Sequence, residues 1–128
     1  MAKRLFIMLL PVLFAFTLHG QTYVGTMTIG NYTQHQVKVD LATAADGTAT
    51  LTLHGVKFAR MMPVKLDVTI APVASKDGTL RADGVVPTAK GKRYEKYTVR
   101  RLQGSAGKKQ LQFRCQMGKK ELVVDAKR

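Results

Sequence analysis

Tryptophan is missing from this 128-residue chain, and cysteine occurs once, at Cys115. A single thiol excludes an internal disulfide framework and any multi-cysteine zinc or iron–sulfur centre. Aromatic residues make up only 7% of the chain, too few for a platform on which bases could stack. Acid is scarce too, with 8 Asp+Glu against 21 Lys+Arg and a net charge of +13. Paired carboxylates for acid–base catalysis are not evident, because Asp46 and Asp77 each precede a glycine and read as turn residues. Serine is limited to Ser75 and Ser105, both in turn contexts and neither in a nucleophile elbow. These absences point away from an enzyme and away from any cofactor. The rest, at 45% hydrophobic and 23% charged, has the composition of one folded domain rather than a disordered chain.

The first twenty residues read as an export signal. Lys3 and Arg4 precede an apolar run that, even extended from Leu5 to Leu18, is 14 residues long. A membrane span needs about 20, so removal at a small residue, Gly20, before Gln21 is the expectation. The chain then divides into a signal peptide, 1–20, and a barrel domain, 21–128, exported to the periplasm or secreted. No cysteine near the cleavage point offers a lipid anchor, and the released domain is not expected to span a membrane.

From Gln21 onward the dominant period is two, the mark of strands. Val37, Val39 and Leu41 alternate with Gln36, Lys38 and Asp40, and Leu51 and Leu53 alternate with Thr50 and Thr52. Leu66, Val68 and Ile70 alternate with Lys65, Asp67 and Thr69. Further strands are expected at 23–29, at 79–82 with an extension toward Val85-Val86, and at 94–102, 110–117 and 121–126. Asp46-Gly47 and Asp77-Gly78 are tight-turn pairs. Gly104 to Gly107 and Gly118-Lys119-Lys120 separate the last strands. Cys115 shares a parity with Leu111, Phe113 and Met117, which buries it as a small hydrophobe. No helical face is found in the domain.

About eight short strands with one apolar face predict an all-β fold, a single antiparallel up-and-down barrel, because closure removes the unpaired edges. The inward set of Val37, Val39, Leu41, Leu51, Leu53, Leu66, Val68, Ile70, Leu111, Phe113, Leu122 and Val124 makes either a packed core or an apolar pocket; periodicity does not separate the two. An outer-membrane barrel is rejected, because the polar parity carries Lys38, Asp40, Lys65, Asp67, Arg100 and Arg114.

Asp46-Gly47-Thr48-Ala49-Thr50-Leu51-Thr52-Leu53-His54-Gly55-Val56-Lys57-Phe58 is followed by Met62-Pro63-Val64 and then by Leu66-Asp67-Val68-Thr69-Ile70. Together with the opening Tyr23-Val24-Gly25-Thr26-Met27-Thr28 and the export signal, this pattern resembles the small calycin-like (lipocalin-like) β-barrel proteins of Bacteroidetes. The resemblance spans about residues 23–126, with Lys65 standing where that family usually has glycine. It implies an exported calycin-type barrel with no established enzymatic activity. Carriage of small apolar ligands is common in such folds, and extending it to this chain is an analogy of fold.

Residues 21–75 carry a net charge of +1 and residues 76–128 a net charge of +10. If the last strands are neighbours, the basic residues should form one field on the barrel. A solubilising outer face is the bland reading of that excess. Two functional readings follow. In the first, a non-catalytic barrel holds a small apolar or amphipathic ligand against Val37, Val39, Leu51, Leu53, Phe58, Leu66, Val68, Leu111 and Phe113. In the second, an interaction module binds an anionic envelope or extracellular polymer, such as lipopolysaccharide or an acidic glycan. That contact would run through Lys90, Lys92, Arg93, Lys96, Arg100, Arg101, Lys108 and Lys109. No specific nucleic-acid target is expected, and Tyr94 and Tyr97, read as strand residues three apart, should face opposite ways. A metal site would need His35, expected to face inward, to meet His54 and a third ligand such as Asp40 or Asp67; solvated histidines at strand ends are the simpler reading.

Overall fold

The computed structural model describes residues 19–58 and 61–128. The expected signal segment therefore lies outside the described residues as far as Leu18, and only His19 and Gly20 of it are seen. They form the first residues of β1 (His19–Ile29) and pair with Thr43 and Ala42. Cleavage before Gln21 would start β1 two residues later.

The strands follow as β2 (Tyr32–Thr43), β3 (Thr48–Val56), β4 (Leu66–Lys76), β5 (Thr79–Ala82), β6 (Thr88–Ala89), β7 (Lys92–Arg93), β8 (Val99–Ala106), β9 (Gln110–Met117) and β10 (Lys120–Lys127). In the order β1-β2-β3-β4-β5-β8-β9-β10 each strand pairs antiparallel with the next, and β10 returns to pair with β1. The result is a closed, eight-stranded, up-and-down barrel. The small β6–β7 hairpin hangs on β4 by the Thr69–Thr88 rung and widens the wall beside the short β5.

Alternation of buried and exposed residues places one apolar set inside the closed wall. Every member of the expected inward set is buried. Cys115 joins it at 4% exposure, between Phe113 and Met117 on β9. The turns behave as their residues require. Asp77 and Gly78 both adopt positive φ, at 53° and 81°, the geometry of a hairpin turn whose twist matches its strands. Asp46 Oδ1 accepts from the Thr48 backbone N–H at 3.0 Å and from its hydroxyl at 2.7 Å.

Three expectations need correction. β2 carries a bulge: pairing with β1 steps from Gly25–Val37 to Met27–Gln34, so His35 and Gln36 together face Thr26. Gln36 takes φ 55° there, and His35, expected inward with Val37, is exposed instead. The strand expected at 94–102 begins only at Val99, because Glu95–Tyr97 form a 3-10 turn. It then runs on through Gly104 to Ala106, with a second bulge at Arg101 that leaves both Arg100 and Arg101 exposed. Ser75 and Ser105, read as turn residues, lie in β4 and β8.

Because consecutive strands reverse direction, the connections alternate between two ends. We call upper the end that holds the β1–β2, β3–β4 and β9–β10 connections and the long β5–β8 segment. The lower end holds the β2–β3, β4–β5 and β8–β9 turns and the final residue, Arg128.

Candidate functional site

A barrel interior is the natural place for a ligand. Val37, Val39, Leu51, Leu53, Phe58, Leu66, Val68, Leu111 and Phe113 all belong to one buried cluster. Any void wide enough for a ligand would expose the side chains that line it. Leu51, Leu53 and Leu111 are 0% exposed, Val37 and Val68 1%, and Leu66 reaches 8%. Side chains therefore occupy the interior as a buried core.

Side chains also cover both ends, although a depression of about 280 Å³ opens at the lower mouth among Gln21, Leu41, Ser75, Gly78 and Gly107. At the lower end the buried Tyr23 donates its hydroxyl proton to the Gly107 carbonyl oxygen at 2.7 Å and shares that hydroxyl with Gln21 Oε1. Burial raises the Tyr23 pKa above its ordinary value, partly offset by the Arg128 charge. At the upper end the Phe58 ring packs on Tyr97, with centroids 4.5 Å apart and planes tilted by 47°. A shallow depression of about 420 Å³ lies on the outer wall beside Gly104, Gln112, Arg114, Val123 and Asp125.

A polar row crosses the outside of the first four strands. Thr22 on β1 donates to Asp40 Oδ1 at 2.8 Å, and Asp40 Oδ2 lies 2.7 Å from His54 Nε2. His54 Nδ1 stands 3.6 Å from Asp67 Oδ2, while Asp67 Oδ1 accepts from the Gly55 backbone N–H at 2.8 Å. Partial burial works against ionisation of Asp40, but the hydrogen bonds from Thr22 and His54, aided by the His54 and Lys38 charges, hold its pKa below the usual carboxylate value. The row joins His54 to both carboxylates named for a metal site. Among the described residues, though, no group of three or more His, Cys, Asp and Glu is arranged to hold a metal ion. With both imidazole nitrogens directed at carboxylates, the row ties neighbouring strands together. Cys115 offers no nucleophile, since burial, with some help from Glu121, pushes its thiol pKa up to about 12.

The basic residues do not form one field. Lys90 lies in the β6–β7 turn, Lys92 and Arg93 are β7, and Lys96 lies in the 3-10 turn, all within the β5–β8 segment at the upper end. Lys108 and Lys109 occupy the β8–β9 turn at the lower end, a strand length of roughly 20 Å away. Arg128 joins that group, its backbone N–H donating to the Lys109 carbonyl at 2.9 Å. Arg100 and Arg101 sit on the outer wall near the start of β8, where the Arg101 backbone N–H donates to Asp83 Oδ1 at 3.1 Å.

The upper end gains further cations that the eight named residues leave out. Lys119 follows Gly118 in the β9–β10 connection and Lys120 opens β10, while Lys57 and Lys65 begin and end the β3–β4 connection. Gly118 is pressed so closely on the 3-10 turn that an added Cβ would lie 2.6 Å from the Lys96 carbonyl oxygen. This contact brings Lys96 and Lys119 onto one surface. The signal for these additions was the alternation of hairpins, which sends every second turn to the same end.

Compared with known proteins, the chain matches no protein-family model, no curated protein and no solved structure.

Proposed function

We propose that the protein is a non-catalytic, exported barrel of the calycin-like kind that acts as an interaction module. In this reading its upper end docks on an anionic partner of the envelope or extracellular space. One observation carries the proposal: the alternating hairpins gather Lys65, Lys90, Lys92, Arg93, Lys96, Lys119 and Lys120 at one end. Several of these residues are held on a framework of packed turns rather than on free tails. A concentrated, exposed positive surface raises the local concentration of anions and speeds their encounter.

Export is supported by the arrangement of Lys3, Arg4 and the apolar run to Leu18. The calycin-like reading draws support from the closed barrel together with the Asp46–Phe58 and Met62–Ile70 patterns. The alternative of a ligand carried inside has less in its favour. A guest would have to displace side chains such as Leu51, Leu53 and Leu111, which are already fully buried.

Chromatography on immobilised heparin tests the proposal. Elution well above about 0.15 M salt is expected of a shaped cationic surface, whereas elution at or below that concentration marks loose charge attraction and defeats it.

A further inference from the structure

The upper end carries something a purely anionic partner would not need. Met61 is 89% exposed and Val64 52%, both in the β3–β4 connection. The base of that connection is anchored: Phe58 is 2% exposed, packs on Tyr97, and donates its backbone N–H to Met62 Sδ at 3.1 Å. Met62 is thereby drawn back toward the core, while Met61, Pro63 and Val64 face water. Isolated exposed apolar residues are ordinary on protein surfaces. These differ in their surroundings.

Cations share this end of the barrel with the tip. Lys65 follows it directly. Lys90 approaches because β6 runs antiparallel to β4 from the Thr69–Thr88 rung toward Leu66. Lys96 holds its Nζ 5.8 Å from the centre of the Tyr97 ring, the ring that packs on Phe58, and Lys119 follows through Gly118. Acid is present here too: Asp67 and Asp83 accept backbone N–H groups of Gly55 and Arg101, Glu121 pairs with Arg114, and Glu95 stands exposed beside Lys96, but the cations outnumber these carboxylates.

We propose that this end docks on an anionic lipid bilayer, with Met61 and Val64 entering the headgroup layer and the surrounding lysines meeting lipid phosphates. The inference rests on the reading above that the upper end meets an anionic partner, and it names that partner. An acidic glycan or other soluble polyanion has charge but no apolar layer, and would leave Met61 and Val64 in water. A bilayer supplies both, and an apolar tip at a cationic end has the two kinds of attraction that stable attachment at an interface requires.

The absence of tryptophan from the chain makes the test direct. Met61→Trp and, as a control at the lower end, Lys109→Trp each give a single-tryptophan protein, prepared after export with its N-terminus checked by mass spectrometry. With vesicles of phosphatidylcholine containing phosphatidylglycerol, Met61→Trp fluorescence should shift to the blue and Lys109→Trp should not. Vesicles of phosphatidylcholine alone should shift neither. In sedimentation with the mixed vesicles, a Met61→Ser/Val64→Ser protein should partition about ten-fold less than the wild type, with heparin elution and melting temperature unchanged. A missing shift, an equal shift in both tryptophan proteins, or unaltered partition of the double variant overturns the inference. Retention on heparin without vesicle binding removes the membrane inference alone and leaves the anionic-partner reading standing; failure on both removes both.

Discussion

The hydroxyl of Tyr23 on β1 donates to the carbonyl oxygen of Gly107 in the β8–β9 turn at 2.7 Å, bridging 84 residues of sequence. The barrel closes through the β1–β10 ladder, and this bond ties the turn two strands beyond β1 over the lower end. Tyr23→Phe keeps the buried ring and removes only the hydroxyl, with its contacts to Gly107 and Gln21. It should lower stability by about 1 kcal/mol in urea titration, the ordinary net worth of one such bond, with the denaturant slope unchanged. An unchanged midpoint would mean the turn is held by its backbone contacts alone.

Cys115 contributes to a loss of stability at alkaline pH. In the unfolded chain the thiol ionises near 9.0, but in the fold burial pushes it to about 12. The folded state therefore keeps its proton longer, and stability present below pH 9 is lost as pH rises toward the folded value. The slope should approach about 1.4 kcal/mol per pH unit. Urea midpoints at pH 8, 9 and 10 should fall more steeply for the wild type than for Cys115→Ala. A thiol reagent should label Cys115 only when denaturant is added, and rapid labelling of the folded protein would contradict its placement between Phe113 and Met117.

Gly104 is needed for close contact between strands. A Cβ there would lie 2.1 Å from the Gln112 carbonyl oxygen and 2.5 Å from Phe113 Cβ, with no flexible side chain able to move aside. Gly104→Ala should destabilise the barrel by about 1–3 kcal/mol, as overpacking does. Gly107→Ala, whose Cβ would meet only the Gln110 carbonyl at 3.8 Å, should cost much less. Thermal melts of the pair compare the two sites, and equal losses would contradict the close approach of β8 and β9.

The closed barrel was legible because period-two alternation at Val37, Val39 and Leu41, and again at Leu66, Val68 and Ile70, leaves one apolar face that only closure can bury without open edges. What escaped were the places where local pattern yields to tertiary contact. Nothing around Gln36 marks a bulge, since its positive φ is imposed by pairing between β1 and β2, and so simple alternation puts His35 on the wrong face. Tyr94 to Tyr97 have the aromatic content of a strand, but Tyr97 is recruited by Phe58 into the packing of the upper end and a 3-10 turn forms instead. Whether the interior was core or pocket depended on side-chain volumes summed around the barrel, a quantity alternation does not carry. The charge asymmetry along the sequence was real, but a meander folds one basic half into two separate clusters. Lys108-Lys109 and Lys119-Lys120 look alike as turn pairs and lie at opposite ends.

That separation gives the decisive comparison. Neutralise Lys92, Arg93 and Lys96 to glutamine in one protein, and Lys108, Lys109 and Arg128 to glutamine in another, so that both lose the same charge. Measure retention on an anionic polymer across a salt series. The upper-end protein should elute at markedly lower salt, with a shallower dependence of log affinity on log salt, while the lower-end protein should stay close to the wild type. Equal losses in the two proteins would show that net charge alone is being read, and would contradict a docking surface at the upper end.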